Sequence, residues 1–345
     1  MKPGHRKLQL LAWETTRACP FSCPHCRASA VAQRESGELS TEEGKKLLAD
    51  AAKVGPGIVI LSGGEPLLRE DLEELVKEGT RLGHTMVVSG NDGKLLPTKR
   101  ILALKEAGVR RFSFSLHSPI PADHDRFLVR DGAFEDMRGA FGRIEAAGLT
   151  YQINTTVLPS NYKRLPEMLK LVQELKAAAW HLFFIVCTGR ATENAAETFL
   201  DDAATEEALN WAADIWDTPG IPQMKITCAP QHTRIFIQKG KKIPGHGRSC
   251  MAGDGFAFVS SHGEVKPCGY FDSVAGSIRD KPFDEIYLQS PLFQRLRDLT
   301  QLQGNCGACE YKHVCGGCRA RALSASGNDM STDPACHHQP KPKTK

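Results

Sequence analysis

Short β-branched runs alternate with helical patterns six times in the first two hundred residues, and no other feature restricts the fold so tightly. The strand candidates are 8–13, 58–61, 85–88, 111–116, 151–157 and 180–186. Between them the apolar period lengthens to that of a helix over 41–54, 72–82, 98–107, 134–147 and 165–178. Ser40 ahead of Glu43 spells a capping box, which marks one helix start. Gly83, Gly108 and Gly148 follow predicted helix ends, where a left-handed cap is expected. Such β-α repeats imply a parallel sheet with right-handed crossovers, which both doubly wound and barrel folds satisfy. In either fold the functional groups lie at the carboxyl ends of the strands. Cys19, Gly63 and Ser89 each follow a strand candidate and are expected on one rim.

The chain's 345 residues allow one large or two ordinary domains. Apolar residues at 41% and charged ones at 24% describe an ordinary soluble globular protein. A formal charge of +4 is too small to argue for nucleic acid, and it suits an anionic substrate. No apolar run reaches the length of a membrane span, and the run after Met1–Lys7 is too short for a signal-peptide core. The expected location is therefore the cytoplasm. There, twelve cysteines in CxxC-like groups point to metal rather than to disulfides.

Three of these cysteines, Cys19, Cys23 and Cys26, are spaced Cys-x3-Cys-x2-Cys. They supply three soft thiolates to a centre that prefers four ligands, so an iron–sulfur cluster with one open iron is expected. His25 lies inside the same loop and keeps a closed Cys3His zinc site as the alternative.

The triplet is followed about forty residues later by Ser62-Gly63-Gly64-Glu65-Pro66, and the pair of motifs resembles the radical S-adenosylmethionine (SAM) enzymes. The resemblance implies a partial (β/α)6 barrel, a [4Fe-4S] cluster whose open iron binds SAM, and a 5'-deoxyadenosyl radical from its cleavage. It also implies that the Gly63-Gly64-Glu65 stretch receives the SAM amino group, with Glu65 the candidate for the ammonium contact. The glycines let the main chain approach closely. Ser115 and Asn154 are the further SAM-contact candidates. Asn154 shares one strand face with Gln152 and Thr156, either toward the barrel interior or on its wet outside. Two stretches depart from the family pattern: Ser89-Gly90-Asn91-Asp92-Gly93, and His117-Ser118 in place of Asp-Gly. His117 is a candidate acid or substrate ligand, and Arg190 a candidate for gripping a carboxylate.

Past residue 220 the composition shifts to a cysteine field. Gly263-x4-Cys268, then Cys306-x2-Cys309-x5-Cys315-x2-Cys318 and a trailing Cys336, resemble the SPASM extension, which carries one or two auxiliary [4Fe-4S] clusters. By that resemblance Cys306, Cys309, Cys315 and Cys336 hold an outer cluster. Cys250, Cys268 and Cys318 hold an inner one, with Cys228 available to complete it. The two CxxC pairs also read as a zinc ribbon. The expected domains are 1–220, the barrel, and 221–345, the small cysteine-rich iron–sulfur domain.

The stretches Leu11–Arg17, His25–Ala28, Gln152–Thr156, Thr227–Pro230, Lys266–Tyr270 and Cys315–Arg321 are similar to the anaerobic heme b synthases of the siroheme-dependent route. That family converts the two propionates of iron-coproporphyrin III to vinyl groups. The resemblance implies an iron-porphyrin substrate and a reduced electron donor of flavodoxin or ferredoxin type. Arg27 separates this family from the didecarboxysiroheme deacetylases and heme d1 maturases, which usually carry Tyr there. Peptide-modifying SPASM enzymes and a non-catalytic iron–sulfur or zinc scaffold are the remaining alternatives. Arg17, Arg27, Arg190, Arg234 and Arg248 are the candidates for holding substrate carboxylates, and His232 or Cys228 for meeting the porphyrin iron.

Overall fold

The computed structural model describes residues 7–242 and 248–341. The first six residues of the leader reading, and 243–247 of the Gly/Lys-rich stretch, lie outside them. Six parallel strands appear where the alternation predicts them: β1 (Leu10–Glu14), β2 (Ile58–Ser62), β3 (Thr85–Ser89), β4 (Val109–Ser115), β5 (Thr150–Val157) and β6 (Ala179–Phe184). The connecting helices are α1 (Thr41–Lys53), α2 (Leu72–Arg81), α3 (Thr98–Ala107), α4 (Pro121–Leu128), α5 (Ala133–Ala146) and α6 (Leu165–Glu174). Both halves of the Ser40/Glu43 capping box form at the start of α1. Gly83, Gly108 and Gly148 take φ of 86°, 110° and 71° after α2, α3 and α5.

The sheet does not stop at residue 220. β7 (Gln223–Thr227) pairs parallel with β6, and β8 (Phe256–Val259) pairs parallel with β1 on the opposite side. β9 (Glu264–Lys266) and β10 (Gly276–Ser277) then extend it antiparallel. The full order is β10-β9-β8-β1-β2-β3-β4-β5-β6-β7, so β7 and β10 are its two ends and the curve stays open.

Strand alternation divides the side chains between two faces. Trp13, Leu61, Val88, Phe112, Phe114, Tyr151, Ile153 and Leu182 are buried beneath the helices. Phe141 of α5 stacks on Tyr151 with ring centroids 4.0 Å apart. Trp180 is fully enclosed and donates its indole N–H to Thr155 at 2.8 Å. Truncating an aromatic of this layer is expected to cost about 3–5 kcal/mol. The other face is polar and lines the open interior. Register puts Ser115, Asn154, His181 and Lys225 in one row across β4 to β7. Asn154 thus faces the barrel interior, because its neighbours Ile153 and Thr155 belong to the helix-side layer.

Candidate active site

The two motifs that the sequence places about forty residues apart are in direct main-chain contact. Gly64 N–H donates to Thr16 O at 2.7 Å and Glu65 N–H to Ala18 O at 2.7 Å. A Cβ on Gly63 would lie 2.3 Å from Thr16 O, and one on Gly64 2.2 Å from Ala18 O. Gly63 also holds φ of 140°, which L side chains rarely adopt. Glycine is therefore what lets the β2 loop lie on the backbone that leads into Cys19.

Glu65 is completely buried. Its carboxylate accepts from the amides of Asn91 (2.7 Å), Asp92 (2.9 Å) and Leu67 (3.1 Å). Burial raises its pKa to about 7 against the pull of those amides. Its visible work is thus to tie the β2 loop to the β3 loop. Gly90 is small for the same reason, since a Cβ there would sit 2.4 Å from Glu65 Oε1. Asn91 continues the chain by accepting the amide of Ser115 at 2.7 Å. Asn154 donates to Ser113 Oγ (2.7 Å) and accepts from Gln152 (2.9 Å). The departure from the family pattern at Asn91-Asp92 is occupied with these inter-loop bonds, together with the Asp92–Arg130 ion pair at 2.6 Å.

Cys19, Cys23 and Cys26 gather at the end of β1. Burial raises the Cys19 thiol to about 12, with Glu65 and Cys26 adding to it. Burial likewise raises Cys23, and Cys26 and Cys19 push in the same direction. Buried thiols that repel one another as thiolates call for a shared cationic centre. A lone zinc would draw its sulfurs to about 3.8 Å of one another. Among the described residues only Cys309, Glu310 and His338 bring three ligand atoms within 4.8 Å. The triplet is wider than that, which suits a polynuclear cluster and not a Cys3His zinc site. His25 stacks on Phe127 and edges onto His117, each at 4.8 Å. Burial lowers its pKa to about 4.

Several sequence expectations need correction here. Arg190 commits two of its guanidinium nitrogens to the protein's own main chain, and its buried Nη2 has no hydrogen-bond partner among the described residues. The side chain donates to Cys23 O (3.0 Å) and Ala30 O (2.9 Å), satisfying carbonyls that the irregular cysteine loop leaves open. Arg17 binds Glu35, Arg27 binds Glu14 at 2.6 Å, and Arg234 binds Glu206. Arg248 donates to Cys250 O and Leu296 O. Each of the five candidate arginines thus makes an internal bond, while Arg190 Nη2, Arg234 Nε and Arg248 Nη1 are buried without a hydrogen-bond partner among the described residues. His117 is buried and its pKa is driven well down, so it stands neutral, accepting from the Thr156 amide at 3.4 Å. In that state the proton sits on Nε2, which is buried and has no hydrogen-bond partner among the described residues. His232 is buried against Phe236, with Nδ1 2.8 Å from Ala229 O.

The tail sorts its thiols into two groups of four. Cys268 is pushed up by burial and by Cys318, Cys228 and Cys250. Cys228 is pushed up by burial and by Cys318 and Cys250. It holds φ of 63°, a strained value for a non-glycine residue, and is the fourth member of the inner set. The second group is Cys306, Cys309, Cys315 and Cys336: burial, Cys336 and Cys306 raise Cys315, and burial and Cys306 raise Cys309. Neither group gathers three sulfurs within 4.8 Å, a wider spread than the ligands of one zinc ion take. The inner group adjoins the cysteine loop through Arg27, which lies over Phe258 at 4.5 Å and reaches Gly269 O at 3.4 Å. Sequence reasoning missed this bridge, since Gly269 is 242 positions away.

Known proteins agree with this architecture. The radical SAM superfamily matches residues 13–172, and the SPASM iron–sulfur cluster-binding domain matches 250–319. An AdoMet-dependent heme synthase of Oleidesulfovibrio alaskensis is 40% identical over 99% of this chain and 90% of its own length. A protein of the same name from Methanosarcina barkeri is 40% identical over 96% of this chain and 97% of its own. The fold is that of Streptococcus suis SuiB bound to S-adenosylmethionine, with a TM-score of 0.77 at 15% identity over 97% of this chain and 78% of that one. The first half therefore carries a [4Fe-4S] cluster and SAM, and the tail carries auxiliary iron–sulfur clusters. The chain belongs to the radical SAM enzymes with a SPASM extension, in the family of the AdoMet-dependent heme synthases.

Proposed function

We propose that this enzyme oxidatively decarboxylates the two propionates of iron-coproporphyrin III to vinyl groups, giving heme b. The observation that carries the reading is a three-thiol site at the end of β1 whose loop is joined through Arg27 to a four-thiol site in the tail, with a second four-thiol group beyond it. Relatives named AdoMet-dependent heme synthase support it. Bound to Cys19, Cys23 and Cys26, a [4Fe-4S] cluster with SAM on its open iron supplies the 5'-deoxyadenosyl radical. Removing one hydrogen atom from the propionate carbon next to the ring leaves a substrate radical. Loss of carbon dioxide from that radical yields the vinyl group only if one electron also departs. Each propionate thus releases one carbon dioxide and one electron, and the tail centres are suited to receive the latter. An electron donor of flavodoxin or ferredoxin type primes the first site.

In this reading Gly63 and Gly64 let the main chain approach SAM, and Ser115 and Asn154 meet its polar groups from the interior face. Residues 1–220 hold the radical chemistry and 221–345 the auxiliary centres, on one shared sheet. Each of the five expected arginines makes an internal bond, and the substrate's carboxylates are assigned to cations of the interior. Lys225 and Arg111 lie on that face, and their side chains make no hydrogen bond or ion pair among the described residues. Burial, and the charges of Lys225 and Arg111, lower His181 to about 3. The cytoplasm, with its reducing carriers, suits twelve unpaired cysteines. No helix among the described residues is long and apolar enough to cross a membrane.

The test is anaerobic reconstitution with reductant and SAM, assaying 5'-deoxyadenosine and porphyrin products with and without iron-coproporphyrin III. Heme b formed with two carbon dioxide per porphyrin supports the reading. Deoxyadenosine with the porphyrin unchanged overturns it. Lys225→Met is expected to raise KM for the porphyrin about tenfold, the worth of one charge-assisted hydrogen bond, and to leave KM for SAM unchanged.

A further inference from the structure

Two arginines one residue apart face the two tail tetrads, and their surroundings differ. Arg319 is completely buried. Its Nη1 donates to Asp329 O (2.9 Å) and Ser331 O (2.7 Å), and its Nε to Gly317 O (3.3 Å). Its Nη2 points at Cys306 Sγ, 3.3 Å away, and it forms no ion pair among the described residues. The nearby Asp329 carboxylate is taken by Arg295 at 2.6 Å. A buried guanidinium without a carboxylate is costly unless another anion stands beside it. Cys306 is the one anion-forming side chain to which it donates. The chain is shaped for that contact: Gly317 holds φ of 64°, and a Cβ on it would lie 2.3 Å from Arg319 Nη2 and 2.8 Å from Cys306 Sγ.

Arg321 is placed against the inner tetrad, donating to Cys228 O. Its charge is offset by the fully buried Asp333, whose oxygens lie 3.1 and 3.2 Å from Arg321 Nη1. Asp333 also accepts the Cys318 amide at 2.7 Å. Beside the outer tetrad Arg234 is paired with Glu206, while the carboxylates of Glu310 and Asp333 also act on its thiols, Glu310 on Cys309 and Asp333 on Cys315 and Cys336. Thus a guanidinium donates directly to a ligand sulfur of the outer tetrad, whereas Arg321 meets the inner tetrad only at the Cys228 carbonyl and is itself paired with Asp333. A positive charge and hydrogen bonds to sulfur favour the reduced form of an iron–sulfur centre. Cys306 Sγ also accepts the Asp333 amide at 3.3 Å.

We infer that Arg319, set against the neutral Arg321–Asp333 pair, makes the outer tetrad (Cys306, Cys309, Cys315 and Cys336) the more readily reduced of the two tail centres. An electron delivered to the tail from the barrel side then comes to rest on the outer site, away from the substrate. This rests on the reading of both tetrads as iron–sulfur sites. It makes Arg319 a positioning residue for the electron that decarboxylation releases.

The experiment is a redox titration followed by electron paramagnetic resonance on the Cys19→Ala/Cys23→Ala/Cys26→Ala protein, which keeps only the tail centres. Two midpoints are expected, and adding Cys309→Ala is expected to remove the higher. Arg319→Gln is expected to narrow the gap between them, and Arg319→Lys, which keeps the charge, to preserve most of it. Removal of the lower midpoint by Cys309→Ala overturns the inference. So does an unchanged gap in Arg319→Gln with both centres retained by iron and sulfide count, or an equal narrowing in Arg319→Lys. Should Arg319→Gln fail to hold the outer centre, Arg321→Gln decides: a wider gap supports the inference and an unchanged one overturns it. A triple variant without iron–sulfur signals would instead refute the tetrad reading itself.

Discussion

Gly64 acts through the space it leaves, and Glu65 through the amides it gathers. The Cβ of Gly64→Ala would meet the Ala18 carbonyl at 2.2 Å, a main-chain atom that cannot swing aside. The variant is expected to lose SAM cleavage by more than about tenfold, because either the β2 loop or the cysteine loop must shift. Gly142→Ala on α5 has nothing within 4 Å of the new Cβ and is the matched control, expected to cleave SAM normally. Deoxyadenosine release by both variants checks this. Cys23→Ala leaves the first site two sulfurs and is expected to abolish that release altogether. At this scale the sequence was informative wherever chemistry depends on residue type: the cysteines, the glycine pair, the polar Asn154. It was silent on the arginines. Arg27, Arg190 and Arg319 look alike in sequence, and only the fold decides which carbonyl, carboxylate or thiol each one meets.

The elements were legible where they are long and amphipathic, and hidden where their partners are distant. β1 to β6 and their helices show in the alternation because each strand is followed by its own covering helix. β8 is only four residues, Phe-Ala-Phe-Val, and its neighbour β1 lies some 240 positions earlier, so local pattern carries no sign of the pairing. α1 shows how the tail is fastened to such an element. Glu43 completes the capping box and also binds Arg279 at 2.7 Å, from just beyond β10. The Arg279 bond, the Ser40 amide and the surrounding charge lower the Glu43 pKa to about 2, below its ordinary 4.5. A carboxylate depressed by folding adds stability that is fully present above pH 4.5 and lost as pH falls through 2. About a third of the side chain is exposed, so solvent screens the pair and the contribution is only about 0.5–1 kcal/mol. Glu43→Gln is expected to lower stability of the apoprotein by that amount at pH 7. It should also flatten the acid limb between pH 4.5 and 2, which denaturant titrations at several pH values would measure.

For the molecule as a whole, the shared sheet means that barrel and tail are not independent parts. β8 covers the β1 edge with four register pairs, and β1 carries Glu14, the partner of Arg27, and leads directly into the cysteine loop. Cutting the chain after residue 242 would strip β1 of its four β8 pairs, leaving one open edge beside a buried apolar layer. The truncated protein is expected to be largely insoluble or to aggregate, and its soluble fraction should not assemble the first cluster. Cys309→Ala makes the contrast, because Cys309 lies in the outer group, removed from the sheet, and its loss leaves every strand pair in place. That variant is expected to remain soluble and to keep uncoupled SAM cleavage, while heme formation falls by more than about tenfold. Solubility, iron content and the ratio of deoxyadenosine to heme, measured on both proteins, separate the two roles of the tail. If the truncated chain proved soluble and cleaved SAM at the full rate, the tail would be an appendage for electrons only. Loss of both solubility and the first cluster would make it the eighth strand of the active-site wall.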